Sequence, residues 1–196
     1  MISLVLGLGN IGEKYAGTRH NVGFEVLYRV EQTLKAKLKR STRDYDWAVA
    51  KQDDRKIILA RPKTYMNLSG IAAEALLQRN DLSPSEMLVV VDDFALPLGT
   101  LRFRLKGSDG GHNGLASLIA TLGTEQFPRL RLGIGPLPEG VEDSAEFVLS
   151  PFEKNEKEPA RKMIETAAEA VVFAIDNRLE LAMSRYNSSP ALPEDH

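Results

Sequence analysis

Two short runs of branched apolar residues, Ile2–Leu8 and Met87–Val91, constrain the fold of this chain most. Apolar runs of this length without polar alternation mark strands covered on both faces. Each run hands over at once to groups that carry chemistry, Gly7-Leu8-Gly9-Asn10 after the first and Asp92-Asp93 after the second. Between and beyond them the period changes. Val26, Leu27, Val30, Leu34 and Leu38 recur at helical spacing and predict a helix from about Val22 to Lys39. Trp47–Lys51 and Lys56–Arg61 read as strands around the turn Asp53-Asp54-Arg55, and Gly70–Arg79 as a short helix. In Gly99–Leu105, Leu101, Phe103 and Leu105 alternate with Arg102 and Arg104, which predicts one dry and one basic face. Leu115–Leu122 is helical and Leu130–Ile134 is a strand. Met163, Ala167, Val171, Ile175, Leu179 and Met183 fall every four residues, so one long amphipathic helix is expected over Lys157–Tyr186. Strands alternating with helices give the α/β class: a single domain over 1–187 with a mixed sheet, followed by a flexible tail over 188–196 that carries Pro190 and Pro193.

The 196 residues contain no cysteine, which removes disulfides, thiolate catalysis and cysteine-based zinc sites together. The first residues lack a basic leader and a cleavage signature, and no apolar run is long enough to span a bilayer. These features predict a soluble cytoplasmic protein. Net charge is −2, but it is unevenly spread. Residues 1–63 hold 13 basic against 7 acidic side chains, 101–135 hold 5 against 2, and 139–180 hold 5 against 11. Such asymmetry either places a basic face on a near-neutral protein or is ordinary solvated charge.

Acid–base chemistry has few possible centres. Of three histidines, His196 ends the chain, while His20-Asn21-Val22-Gly23 and His112-Asn113-Gly114 lie in similar glycine-bearing turns. His20 sits between a strand and a helix and is placed to act as a general base, with Asp92 or Asp93 at the end of a buried strand as the carboxylate that fixes its tautomer. The plain alternatives are an Asn21 helix cap and a surface histidine. Gly7-x-Gly9-x-x-Gly12 follows a strand, as in dinucleotide sites, but its helix starts about ten residues late. A tight turn that lets Asn10 project at the strand's carboxyl end is the better use of these glycines. Met66-Asn67-Leu68-Ser69-Gly70 offers an amide beside an apolar wall, or simply a helix cap. Lys106-Gly-Ser-Asp-Gly-Gly-His112-Asn113-Gly114 leads four glycines into a helix N-terminus, a natural anion or oxyanion site, with Asn113 as a possible cap. Neither Ser108 nor Ser69 lies in G-x-S-x-G. The histidine spacing matches no zinc motif, so no metal is expected. Arg102, Arg104, Lys106, Arg129 and Arg131 lie near the glycine loop in sequence and would bind a polyanion from a common face, and with few aromatics between them, backbone contacts to a folded RNA fit best.

Taken together, Gly7-Leu-Gly-Asn10-x-Gly, Tyr15-x-x-Thr-Arg-His20-Asn21-x-Gly23, Met66-Asn67-Leu-Ser-Gly70, Asp92-Asp93, Gly110-Gly-His112-Asn113-Gly114 and Arg129-Leu-Arg131-Leu-Gly-Ile-Gly135 resemble bacterial peptidyl-tRNA hydrolases, in that family's order and over essentially the whole chain. The resemblance implies a monomeric, metal-free and cofactor-free esterase with a twisted mixed sheet wrapped by helices, phosphorylase/hydrolase-like in type. It implies cleavage of the ester joining a peptide to the 3′ ribose of tRNA, with peptidyl-tRNA as partner. By matching position, His20 is the base that activates water and Asp92 its partner. Asn10, Tyr15, Met66, Asn67, His112 and Asn113 are the substrate contacts, His112 and Asn113 standing across the cleft, and Arg104 falls where the family often carries a basic residue for tRNA phosphate; the basic-face reading adds Arg102, Lys106 and Arg131 as tRNA contacts. Ala95 stands where the family usually has an aspartate. The same fold serves in plant chloroplasts as an RNA splicing factor, so an RNA-binding module without turnover is the second reading, and a nucleotide-binding oxidoreductase the third.

Overall fold

The computed structural model describes residues 1–138, 140 and 144–187, so the expected tail over 188–196, with His196, lies outside the described residues. Seven strands form one sheet: β1 (Leu4–Gly7), β2 (Arg40–Ser41), β3 (Tyr45–Gln52), β4 (Arg55–Pro62), β5 (Met87–Pro97), β6 (Leu101–Arg104) and β7 (Arg129–Gly135), in the order β2-β3-β4-β1-β5-β7-β6. The central strands β4, β1, β5 and β7 are parallel, and the outer strands β3, β2 and β6 add antiparallel edges. Among the described residues six α-helices accompany the sheet: α1 (Val22–Thr33), α2 (Ser69–Asn80), α3 (Asn113–Leu122), α4 (Ser144–Val148), α5 (Lys157–Asp176) and α6 (Leu179–Tyr186). The α/β class with a mixed sheet is the one expected.

The continuous apolar runs have a direct reason. Along β1 and β5, Val5, Leu88 and Val90 enter a core shared with α1, α5 and α6, while Leu4, Leu6, Met87, Val89 and Val91 enter a second core shared with α2 and α3. Successive side chains point to opposite faces, so a strand roofed on both sides needs an apolar residue at every position. β6 obeys the same parity: Leu101 and Phe103 enter the first core, and Arg102 and Arg104 face the other side. Leu105, expected on the dry face, is instead 46% exposed because the strand ends at Arg104.

Two helices end earlier than their periodicity predicts. α1 stops at Thr33 rather than Lys39: Lys35 takes a left-handed conformation (φ 51°), the Ala36 amide closes on the Glu31 carbonyl at 2.9 Å, and the Glu31 carboxylate accepts from the Leu38 amide at 3.1 Å. Leu34 and Leu38 still pack against the core, from a turn and a strap rather than from the helix, so their spacing misleads. The expected helix over Lys157–Tyr186 is two helices. At Asn177 the backbone is extended, and both its amide N–H and its side-chain Nδ2 return to the Phe173 carbonyl, at 3.0 and 2.9 Å. The break sends α6 along the sheet edge, where Asn187 accepts from the Phe103 amide at 2.6 Å and donates to the Phe103 carbonyl at 3.1 Å. The outermost strand thus has part of its open edge covered. β5 outlasts its apolar run by six residues, and its pairing with β7 shifts register between Asp93 and Pro97. No helix among the described residues is long and apolar enough to cross a membrane.

Candidate active site

The carboxyl ends of β1 and β5 lie side by side at the middle of the sheet, where open α/β sheets place their ligand crevices. Asn10 follows β1, and Asp92 is the sixth residue of β5. The glycines between them act by closeness. A Cβ on Gly7 would lie 2.5 Å from the Gly23 carbonyl oxygen, and one on Gly23 would lie 2.4 Å from that of Leu8. Only hydrogen at both positions lets the first turn of α1 press onto β1, which brings the preceding single-turn helix Arg19–Asn21 over the strand ends. The G-x-G-x-x-G segment therefore serves helix–strand contact, not a pyrophosphate. The residues after Gly12 form one turn of 3-10 helix, Glu13–Tyr15, and α1 begins only at Val22.

Asn21 does not cap α1 with its side chain. Its Oδ1 accepts from the Asn10 amide at 2.8 Å and its Nδ2 donates to the Asn10 carbonyl at 3.0 Å. The Asn10 Oδ1 in turn accepts from the Met66 amide at 2.8 Å. This chain of amides joins the loop after β1, the His20 turn and the single-turn helix Met66–Leu68, and it leaves the Asn10 Nδ2 donors without a protein acceptor among the described residues. Arg19 fixes the same turn from behind. Buried between the rings of Phe147 (4.5 Å) and Phe152 (5.1 Å), its guanidinium donates to the Ser150 hydroxyl at 2.7 Å, the Pro151 carbonyl and the Glu156 carboxylate.

At the centre, Asp92 receives two imidazoles. His20 Nδ1 lies 2.8 and 2.9 Å from the two carboxylate oxygens, and His112 Nε2 lies 3.0 Å from Oδ1. The rings are 4.9 Å apart, centre to centre, and tilted by 48°. Burial alone would push the Asp92 carboxyl up, but the electrostatic pull and hydrogen bonds of His112 and then of His20 outweigh it. The group is held well below the usual carboxylate range. An ionised carboxylate only accepts, so His20 carries its proton on Nδ1, and its Nε2 lone pair is left for the cleft. His112 is fixed the other way. Its Nδ1 accepts from the Gly114 and Leu115 amides at 3.1 and 3.2 Å, so its proton is on Nε2. His112, rather than Asn113, is thus the cap of α3. This corrects the expectation for the glycine loop. Of the amides that would have held an anion, those of Gly114 and Leu115 are taken by the His112 ring, and that of Gly111 by the Asp109 carboxylate at 2.9 Å. His112 also stands beside His20 on the same acid rather than alone across the cleft.

The cleft encloses about 450 Å³ and brings together Asn10, Tyr15, His20, Met66, Asn67, Asp92, His112, Asn113 and Arg131 among its lining residues. Motif reading did not single out the other walls, Tyr65, Phe94, Val148 and Leu149. The last two belong to the segment that Arg19 anchors, and the Thr18-Arg19 pair ahead of His20 was the one available signal. Ala95 is exposed, and its amide donates to Asp93 Oδ1 at 2.9 Å, so Asp93 shapes the turn in which the family's usual acid is replaced.

The cationic residues divide. Arg102 is half-buried, and Arg104 and Lys106 are exposed. Arg131 lines the cleft but is ion-paired with Asp93. Arg129, expected on the same face, is 1% exposed and does not belong to it. It donates to the Gly107 and Ser108 carbonyls at 2.6 and 3.1 Å and to the Glu125 carbonyl at 2.9 Å, pinning the base of the glycine loop. Burial lowers its pKa to about 10, which still leaves it charged at neutral pH. His20, Asp92 and His112 also form the one cluster of metal-ligating groups among the described residues, with ligand atoms within 4.8 Å of one another. A cation there would have to displace the two protons that the imidazoles give to Asp92.

A sequence model of the peptidyl-tRNA hydrolase family matches residues 4–194. The chain is 46% identical over 189 residues to a peptidyl-tRNA hydrolase of Sulfurihydrogenibium sp. (strain YO3AOP1), covering 96% of this chain and 99% of the relative. It is 46% identical to the peptidyl-tRNA hydrolase of Aquifex aeolicus, covering 95% and 96% of the two. The crystal structure of peptidyl-tRNA hydrolase from Acinetobacter baumannii superposes with a TM-score of 0.90 at 31% identity, over 97% of each chain. Full-length matches in sequence and in fold, on a cleft built around His20 and Asp92, establish that this chain belongs to the peptidyl-tRNA hydrolase family.

Proposed function

We propose that His20 is the general base in hydrolysis of the ester between a peptide and the 3′ ribose of tRNA, acting on water rather than through a covalent intermediate. Hydrolysis of peptidyl-tRNA is the function of the family to which the chain belongs. The observation that carries the mechanism is the asymmetric use of one imidazole: Nδ1 held by Asp92 and Nε2 without a partner among the described residues, in the wall of the cleft. His20 Nε2 takes a proton from water as the oxygen attacks the ester carbonyl, and Asp92 stabilises the imidazolium that forms. The same proton then goes to the departing ribose oxygen, releasing free tRNA and a peptide carboxylic acid. The Gly114, Leu115 and Ala116 amides at the start of α3 are already occupied, which leaves the side-chain amides of Asn10, Asn67 and Asn113 as the donors for the oxyanion and for the peptide bond. A free ammonium cannot stand in for that peptide bond without leaving an amide unpaired, which favours N-blocked substrates. Met66 and Tyr15 form apolar walls, and Arg102, Arg104, Lys106 and Arg131 face the tRNA.

We further propose that the chain works as a cytoplasmic monomer without metal or cofactor. Release of tRNA from an N-acetylaminoacyl-tRNA in EDTA tests the reading. Turnover is expected. Salt-sensitive tRNA binding with no ester cleavage at high protein concentration would leave an RNA-binding module, and activity lost in EDTA and restored by zinc would assign the His–Asp–His cluster to a metal. Sedimentation at working concentration checks the monomer.

A further inference from the structure

Nine large apolar side chains are substantially exposed among the described residues, and four of them gather at one end of the cleft. Leu68 (45% exposed) and Ile71 (44%) lie three residues apart across the single-turn helix Met66–Leu68 and the first turn of α2, so they share one side, and Tyr65 (56%) is the extended residue that leads into it. Ile11 (40%) adjoins them, since the preceding Asn10 is hydrogen-bonded to the Met66 amide. The band is continuous with the cleft, whose wall includes Tyr65, Met66 and Asn67, and it stops there. The next outward residues of α2, Glu74 and Gln78, are polar. An apolar face meant for another folded protein would run the length of the helix. This one is confined to the mouth of the site.

The sheet order sets the direction of the substrate. The reactive pair lies on β1 and β5, the free cations Arg104 and Lys106 lie on and after β6, and the apolar band follows β4. β4 and β6 are four strands apart, about 19 Å at the usual strand spacing. The cations at the β4 end, Arg61 and Lys63, both pair with Asp46, and Lys63 also donates to the Ser41 hydroxyl at 2.9 Å. One end of the cleft therefore offers free cations to a polyanion, and the other offers a mainly apolar surface, with Lys14 the neighbouring cation, its ammonium over the Tyr15 ring at 4.7 Å and near Tyr65.

Resting on the function proposed above, we propose that Ile11, Tyr65, Leu68 and Ile71 form an extended subsite for the peptide, which binds apolar side chains upstream of the residue esterified to tRNA. Six residues of helical rise from Tyr65 to Ile71 cover about 9 Å, the length of about three residues of extended peptide. The substrate class favoured is peptidyl-tRNA whose last few residues before the ester-linked one are apolar. A single N-acetylated residue does not reach the band and gains nothing from it.

Three substrates separate the possibilities: an N-acetylaminoacyl-tRNA, a tetrapeptidyl-tRNA with leucine and phenylalanine upstream, and one with serines upstream. In the wild type, kcat/KM for the apolar tetrapeptide is expected to exceed that for the serine one by about tenfold. The double variant Leu68→Ser/Ile71→Ser, at exposed positions, is expected to bring the two within about twofold of each other while leaving the acetylated substrate unchanged. Equal wild-type rates for the two tetrapeptides, or a preference that survives in the double variant, overturns the subsite. No cleavage of the acetylated substrate overturns the proposed function instead. The subsite is then read from binding of the free leucine- and phenylalanine-containing tetrapeptide by NMR. Shifts at Leu68 and Ile71 that vanish in the double variant support it, and their absence rejects it.

Discussion

His20 and His112 share a carboxylate, a neighbouring asparagine and a nearby glycine, yet the fold gives them opposite tautomers. His20 offers Nδ1 to Asp92 and keeps Nε2 for the cleft, whereas His112 offers Nε2 to Asp92 and spends Nδ1 on the amides that open α3. The difference lies in where each turn stands. His20 enters a single-turn helix whose backbone needs nothing from its ring, since the Asn21 amide returns to the Thr18 carbonyl at 3.0 Å. His112 precedes a ten-residue helix whose first N–H groups need an acceptor. A histidine can serve as a base where the backbone leaves one of its nitrogens free, and is a brace where the backbone takes it. Asp92 receives both rings and so links the helix cap to the proposed base.

Replacing His20 by alanine is the severest test of that division. Tautomers so assigned require kcat to fall by about 10²–10⁴ in the tRNA release assay, beyond a stability loss of about 1–3 kcal/mol from the donor that the buried Asp92 gives up. A larger loss from His112→Ala than from His20→Ala would invert the roles. Asp92→Asn should come next and should also weaken the fold. One amide oxygen must then serve two imidazole donors, and the new Nδ2–H group faces donors rather than acceptors, which costs about 1–3 kcal/mol. The pH dependence has a definite sign. Asp92 is held below the usual carboxylate range, so its contribution is present above the pKa of the unfolded chain's aspartates and is lost as pH falls through the folded value. The stability gap between wild type and Asp92→Asn should persist from neutral pH into mild acid and narrow only in strong acid. A gap that closes between pH 7 and pH 5 would sink the ionised-bridge account.

Much of this arrangement was legible in the chain itself, and what was not has physical reasons. The two unalternating runs identify the central strands because only a doubly covered strand needs an apolar residue at each step. The pairing of His20 with Asp92 follows from the habit of α/β sheets of presenting side chains at strand ends. Periodicity misjudged the helix ends because Leu34, Leu38, Leu179 and Met183 do reach the core, from a turn, a strap and a second helix that happen to keep the spacing. The close approach at Gly7 and Gly23 is a contact between distant segments, which no local pattern encodes. Arg129 and Arg131 share a face of β7, so parity could not tell the buried clamp from the cleft residue. Depth beneath the glycine loop did. The capping role of His112 was hidden by Asn113, a more usual cap residue placed one position too late.

A subtler substitution separates the two duties of His112. Asparagine at this position retains an acceptor for the first amides of α3 but is too short to reach Asp92 as well. His112→Asn should therefore keep most of the stability, while His112→Ala should lose about 1 kcal/mol, the typical value of a cap. Both should slow turnover by a similar factor, about tenfold, since each removes one of the two donors on Asp92 and so alters the acid that His20 leans on. The decisive readout is the acid limb of the kcat profile, which should move by the same amount in both variants. If the limb stays in place and only KM rises, His112 is a substrate contact and the coupling through Asp92 is refuted.

The smallest effect lies at the other end of α1. Glu31 is also a buried acid, 8% exposed, but it receives only the Leu38 amide, where Asp92 receives two rings. Burial is the largest influence and pushes its carboxyl up, against the lowering effect of that amide and of Arg61 and Lys37. An acid whose folded pKa is raised contributes stability at low pH and loses that contribution as pH rises through the folded value, the reverse of Asp92. Glu31→Gln keeps an oxygen for the Leu38 amide and removes the cost of a buried charge. The variant should match or exceed wild type at pH 7, by less than about 1 kcal/mol, and lose its advantage in acid as the wild-type carboxyl takes up its proton. Denaturant titrations of both proteins at pH 7 and pH 4 decide it. If Glu31→Gln is instead weaker at neutral pH, by more than its single hydrogen bond is worth, the charge at Glu31 is supported as Asp92's is, and donor count does not explain why the two buried acids shift in opposite directions.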